Sequence, residues 1–217
     1  MFFGRRRIGN LLCLIVFFWA INAQGNIIYP LNIFNNPTWQ QDSRLSFTVS
    51  VSDEGQNRVG FLFENSSTIS SSITAIYFDD DSLLNITEGI AESEAVSFSQ
   101  GAKPESLPAG NILNPPFDKH PYFSTDSDSP TFHNGINEND WLKIIFTLNN
   151  NRTFNDVIES ISNSEAAENL RIGIHIQGLP NGDSVSAINS SGTSQIPEPA
   201  TIIISTTGLM GILLNKN

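Results

Sequence analysis

The chain is poor in the residues that most often announce chemistry. It has one cysteine, Cys13, set in an apolar stretch near its start. With no second cysteine, an internal disulfide is excluded, and loss of that stretch would leave no thiol nucleophile. Basic residues are few: 11 Lys and Arg stand against 22 Asp and Glu, a formal net charge of −11. Such a surface repels phosphate backbones and anionic headgroups, which argues against nucleic acid as a partner. The three histidines, His120, His133 and His175, are never spaced at i, i+2 or i+4, so zinc has no local seed. No G-x-S-x-G, H-E-x-x-H or phosphate-loop pattern occurs. Carboxylates that could serve a glycosidase are plentiful, but abundance singles out no pair. The chain is therefore expected to be non-enzymatic. No apolar run reaches the roughly 20 residues of a transmembrane helix.

What is present is concentrated at the two ends. Arg5, Arg6 and Arg7 precede an apolar run from Leu11 to Ile21, which closes on Asn22-Ala23. A basic start, an apolar centre and a small residue at the end describe a secretory signal peptide over residues 1–23, cleaved after Ala23. Its removal takes Cys13 and three arginines, leaving eight basic against 22 acidic side chains, a formal charge of −14. That balance suits solubility outside the cell and contact with divalent cations. The opposite end carries Ile196-Pro197-Glu198-Pro199-Ala200-Thr201, an apolar run from Ile202 to Leu214, and Asn215-Lys216-Asn217. Two prolines lock φ and cannot continue a helix, so they present Glu198 on extended chain. The apolar run would cover about 20 Å of a ~30 Å hydrocarbon core.

Between the ends lies one domain's worth of chain, residues 24–188, followed by a Ser/Gly/Gln linker over 189–195. Its periodicity is mostly two. Leu45, Phe47, Val49 and Val51 alternate with small polar residues, and Val59, Phe61 and Phe63 resume the pattern after a five-residue connection, Asp53–Asn57. Ser72–Asp79 reads as a strand with Ile76 and Phe78 on one face, Ala75 and Tyr77 on the other. Leu83–Thr87, Ala95–Ser99, Trp141–Leu148, Leu170–Gln177 and Val185–Ile188 are further strands. One helix begins at a Thr153 cap, with Phe154, Val157, Ile158 and Ile161 at helical spacing. Residues 100–140 are proline-rich and aperiodic, the mark of a functional or loosely ordered loop. The expected fold is an all-β antiparallel sandwich, jelly-roll-like, with one short helix, flanked by an N-terminal signal helix and a C-terminal hydrophobic helix.

Two ligand chemistries are worth locating. Asp79-Asp80-Asp81 and Asp126-Ser127-Asp128 set hard oxygen donors close together, the raw material of a structural calcium site, though neither follows the EF-hand pattern. Trp39, Tyr122, Phe123, Phe132 and Trp141 lie in or beside the least regular segments, near Asn134. Loop aromatics can stack on sugar rings while amides and carboxylates bond the hydroxyls; Tyr122, Trp141 and Asn134 are the candidate glycan contacts.

The tail resembles the PEP-CTERM sorting signal of secreted bacterial proteins, on Pro197-Glu198-Pro199, Ala200-Thr201, Gly208 and Gly211 in the apolar stretch, and the basic end. It departs from typical members in ending on Lys216 alone rather than on several arginines. The segments Ser72–Asp80, Phe98–Ala102, Asn134–Asn137 and Leu170–Gly178 resemble a recurring domain of such proteins, over roughly residues 45–190. The resemblance implies recognition of Pro197, Glu198 and Pro199 by an exosortase-type membrane transpeptidase in a bacterium that makes exopolysaccharide. It implies transient inner-membrane anchoring through the apolar run, then release to the envelope or extracellular matrix. A structural or interaction component is the role expected, with an exopolysaccharide-binding module as the alternative.

Overall fold

The computed structural model describes residues 25–80, 82–118, 120–149, 151–163 and 169–190, together with the backbone of 194–195. The signal segment, Asp81 and the tail with Pro197, Glu198 and Pro199 lie outside the described residues. In chain order the elements are β1 (Ile27–Ile33), α1 (Pro37–Gln40), β2 (Phe47–Gly55), β3 (Arg58–Asn65), β4 (Ser72–Asp79), β5 (Leu84–Glu92) and β6 (Phe98–Gln100). There follow β7 (Phe123–Ser127), α2 (Thr131–Asn134), β8 (Trp141–Leu148), α3 (Phe154–Ser162), β9 (Arg171–Gln177), β10 (Val185–Asn189) and β11 (Ser194–Gln195).

All strands join one antiparallel sheet in the order β5-β8-β3-β2-β1-β10-β9-β4-β7-β6, with β11 added to β1. The sheet curls until its two edges approach, where the Glu92 carboxylate at the end of β5 accepts the Phe98 N–H of β6 at 3.2 Å. The corner is β1. Ile27–Pro30 pair with β2, and Leu31–Ile33 pair with β10. Pro30, with no N–H to give a ladder, sits where the strand changes partners.

Alternation fills the inside. Val49, Val51, Val59, Phe61, Phe63, Leu142, Ile144 and Phe146 from one half meet Ile76, Phe78, Ile172, Ile174 and Ile176 from the other, all fully buried. Phenylalanines cross the interior edge to face: Phe61 to Phe78 at 5.0 Å, Phe78 to Phe146 at 5.0 Å, and Phe146 to Phe123 at 5.1 Å. The expected split of β4 holds, since Ile76 and Phe78 join this core while Ala75 and Tyr77 join a second one. Helix α3 buries Phe154, Val157 and Ile161, and Thr153 and Asp156 cap it reciprocally as a capping box.

Several expectations give way. The β2–β3 connection is a two-residue turn rather than five, because Gly55 pairs with Arg58. Gln56 and Asn57 both take positive φ, 54° and 61°, as a I′ hairpin requires. The 189–195 stretch is not a free linker. Asn189 is buried in β10, and Ser194 and Gln195 pair with Ile28 and Ile27; backbone pairing needs no apolar side chain, so composition concealed it.

Residues 100–140 are also more structured than their composition suggests. They contain β7 and α2, and the 101–118 loop lies flat on the outer face of β4 and β9. Ala102, Leu107 and Phe117 form a small core there with Ala75 and Tyr77. The Tyr77 hydroxyl donates to the Pro104 carbonyl at 2.9 Å. Gly173 leaves room for the loop: a Cβ at that position would stand 2.6 Å from Leu107 Cδ2. On the outer face of β9, Arg171 and Gly173 are buried, while His175 and Gln177 stay half-buried.

Candidate functional site

The acidic residues are already engaged. Asp79 ends β4 opposite Arg171 of β9, and the two form a buried ion pair. Asp79 also accepts the Asp118 N–H at 3.1 Å. Burial pushes its carboxyl up, against the pull of that N–H and the guanidinium. Asp80 caps the turn into β5, accepting the Leu83 N–H and, at 2.8 Å, the Leu84 N–H. Asp126 accepts the Lys103 N–H at 3.3 Å, and burial raises its carboxyl. Asp128 accepts the hydroxyls of Ser97 and Ser99, both at 2.7 Å, which hold it below the usual carboxylate range. Asp126 stands opposite Ala75, four residues before Asp79 on β4, so the two acidic groups are roughly 13 Å apart by strand rise. Among the described residues no three His, Cys, Asp or Glu side chains group as metal ligands.

The aromatic candidates separate as well. Trp39 is buried, its indole N–H donating to Asp183 at 2.8 Å, and Phe123 belongs to the core. Tyr122 and Trp141 remain exposed, at 46% and 37%. The Tyr122 hydroxyl donates to the Asn85 carbonyl at 2.5 Å, near the start of β5. Trp141 opens β8 beside Ser93, beyond the other end of β5. Since Leu84 pairs with Leu148 and Glu92 with Leu142, the two rings sit roughly 20 Å apart by strand rise. Asn134 donates to the Asp128 carbonyl at 3.1 Å. The three candidates do not share one platform.

What the fold does assemble is a polar cleft of about 240 Å³ between α3 and the β4–β5 turn. Arg152, Asp156, Glu159 and Asn163 line it from the helix side, with Ser82 and Leu83 opposite. Arg152 Nη2 donates to Ser82 Oγ at 3.0 Å across the gap. Asp156 is held below the usual carboxylate range by the Thr153 hydroxyl and N–H. Asn163 Nδ2 donates to the Glu159 carbonyl, leaving its own side-chain oxygen as an acceptor. Tyr122 reaches this corner through Asn85, two residues beyond Leu83. Its hydroxyl pKa is raised by burial and by the neighbouring Asp80 charge. The cleft was not anticipated from the sequence. The signal existed: Arg152, Asp156, Glu159 and Asn163 form a polar stripe at helical spacing, opposite the apolar stripe that identified α3.

No family model matches this chain, and no curated protein matches it. Among solved structures, the GAE domain of GGA2p from Saccharomyces cerevisiae is similar at 10% identity over 78% of this chain and 99% of that one, with a TM-score of 0.25. So slight a likeness carries no argument, and the functional reading rests on the residues.

Proposed function

We propose that the chain is a non-enzymatic secreted protein, sorted through a PEP-CTERM-like tail to the envelope or extracellular matrix, where it acts as a structural or interaction component. The observation that supports this most is that β1 has both sides taken, by β2 on one and by β10 and β11 on the other. The first and last described strands thus pair with each other inside the fold, which fits terminal runs read by export and sorting machinery. The curled sheet is read further as a jelly-roll-like sandwich between a signal helix and a sorting helix. Asp79, Asp80, Asp126 and Asp128 each hold a loop or turn, which fits a scaffold. An exosortase-type membrane transpeptidase is the processing partner on this reading. The test is the fate of the chain: the mature protein should begin at Gln24 and be recovered from the envelope or medium. Recovery from the cytoplasm with residues 1–23 intact would refute it.

A second reading, an exopolysaccharide-binding module, draws on the cleft beside α3. Its mix of one cation, carboxylates, amides and hydroxyls suits a polyhydroxylated ligand, with Tyr122 as the neighbouring aromatic. Affinity electrophoresis of the mature protein in the host's own polysaccharide would show retardation that Arg152→Ala and Tyr122→Ala each reduce. Absence of retardation in any glycan would dispose of this reading.

A further inference from the structure

The cleft beside α3 is uneven in its hydrogen-bonding groups. Several of its donors are engaged within the fold. Arg152 Nη2 donates to Ser82 Oγ at 3.0 Å, Asn163 Nδ2 to the Glu159 carbonyl at 3.0 Å, and Asn169 Nδ2 to the Asn163 carbonyl at 2.7 Å. Most of its side-chain acceptors are not. Asp156 takes the Thr153 N–H and hydroxyl on one carboxylate oxygen, at 2.6 and 2.7 Å, which leaves the other oxygen open. The side-chain oxygens of Asn163 and Asn169 accept nothing from the described residues. The Glu159 carboxylate, three residues beyond Asp156 on the same helix face, has no hydrogen-bond or ion-pair partner among the described residues.

The charges are uneven in the same sense. The Arg152 charge helps to keep Asp156 ionised, so these two offset each other. Glu159 is left as the uncompensated charge of the cleft. A fitting ligand must therefore bring donors and a positive charge. A neutral sugar brings hydroxyls alone, and an acidic sugar would set a second carboxylate against Glu159. A sugar with a free amine brings both.

We propose that the cleft binds an amino sugar, with the ligand ammonium on Glu159 and its hydroxyls on Asp156, Asn163 and Asn169. The inference rests on the polysaccharide-binding reading above and names the class of sugar. The stripe from Asp156 to Asn163 runs about 10 Å along α3. The cleft's 240 Å³ is the volume of about eight waters at ~30 Å³ each, room for one sugar residue. An ammonium on Glu159 makes a charge-assisted bond, stronger than the hydroxyl contacts around it. The net charge of −11 draws any cation toward this surface. Specificity must therefore be measured at Glu159 and not from bulk attraction.

Calorimetry on the mature protein at physiological salt compares a short β-linked glucosamine oligomer with its fully N-acetylated counterpart, which loses the charge and keeps the ring hydroxyls. The amine form should bind about fivefold more tightly, the scale of one partly exposed charge pair. Glu159→Gln should erase that preference and leave binding of the N-acetylated form unchanged. Glu94→Gln, an exposed acid beyond the far end of β5, should change neither. Equal affinity for the two forms overturns the proposal; if Arg152→Ala weakens both, the polysaccharide-binding reading survives and the amine preference alone has failed. If neither form binds while the host's own polysaccharide does, the amino-sugar assignment has failed by itself. If no glycan binds, the reading beneath it has failed too. A preference that survives Glu159→Gln, or that Glu94→Gln erases as well, is the general attraction of an acidic chain for a cation and also overturns the proposal.

Discussion

Arg171 forms a buried ion pair with Asp79 and is also the main clamp on the loop that covers them. Its guanidinium donates to the Pro115 carbonyl at 2.7 Å and to the Pro116 carbonyl at 2.6 Å, and lies 5.3 Å from the centre of the Phe117 ring. One side chain thereby joins β4, β9 and the 101–118 loop.

Arg171→Ala would leave a carboxylate and two carbonyls buried without their cation. Breaking a buried pair from one side costs about 3–5 kcal/mol, so urea unfolding should shift by that order. Limited proteolysis should find new cuts within 101–118. A loss below about 1 kcal/mol, the level of a surface pair, would mean that the clamp contributes little.

Gly173 and Leu107 test the same layer by size. Gly173→Ala should destabilise by about 1–3 kcal/mol, the usual cost of overpacking, because its Cβ would meet the Leu107 side chain. Leu107→Ala removes the obstacle, so the double variant should lose less than the sum of the two single ones. Strict additivity in the double-mutant cycle would place Leu107 away from Gly173.

His175 gives the fold a pH dependence with a definite sign. It is half-buried on β9, and burial alone lowers its pKa from the ordinary 6.5. Above about pH 6.5 both folded and unfolded chains carry it neutral. As the pH falls below that value, the unfolded chain takes up a proton that the folded chain resists, and stability declines until the folded pKa is passed. Urea midpoints measured from pH 7.5 to 5 should fall for the wild type, and His175→Gln should flatten that part of the curve. An equal fall in the variant would assign the effect to other groups.

The fold was legible wherever apolar residues recur at the period of the element. The alternation in Phe47–Val51, Ile76–Phe78, Leu142–Leu148 and Leu170–Ile176, and the Thr153 cap of α3, all state their partners locally. The 101–118 loop was not legible, because Leu107, Phe117 and Tyr77 make a core only after β4 and β9 are side by side. Strand β7 was hidden in Phe123-Ser124-Thr125-Asp126-Ser127, where polar residues face the loop or bond Ser99 and Thr131. For the sites, the chemistry of single residues was plain and their company was not. Tyr122 and Trp141 look adjacent as loop aromatics, yet the β5–β8 register sends them to opposite ends. The cleft needed the β4–β5 turn brought to α3, a contact across 70 residues that Arg152 and Ser82 make.

The acidic groups also yield an expectation about calcium. Asp80 and Asp128 already bond backbone N–H groups and hydroxyls, and Asp79 is paired with Arg171. Melting in millimolar calcium and in EDTA should therefore give the same Tm. A shift of several degrees between the two would reveal a bound cation, and Asp126→Asn or Asp80→Asn would locate it.

The central claim is that the tail is an address, and the intact mass of the exported protein tests it most directly. The wild-type protein should lack residues 1–23 and be shortened at the tail, near Pro197-Glu198-Pro199. Glu198→Ala should keep its tail and remain with the membrane. Wild-type protein recovered with residues through Asn217 still attached, and indistinguishable in mass loss and location from Glu198→Ala, would contradict the account.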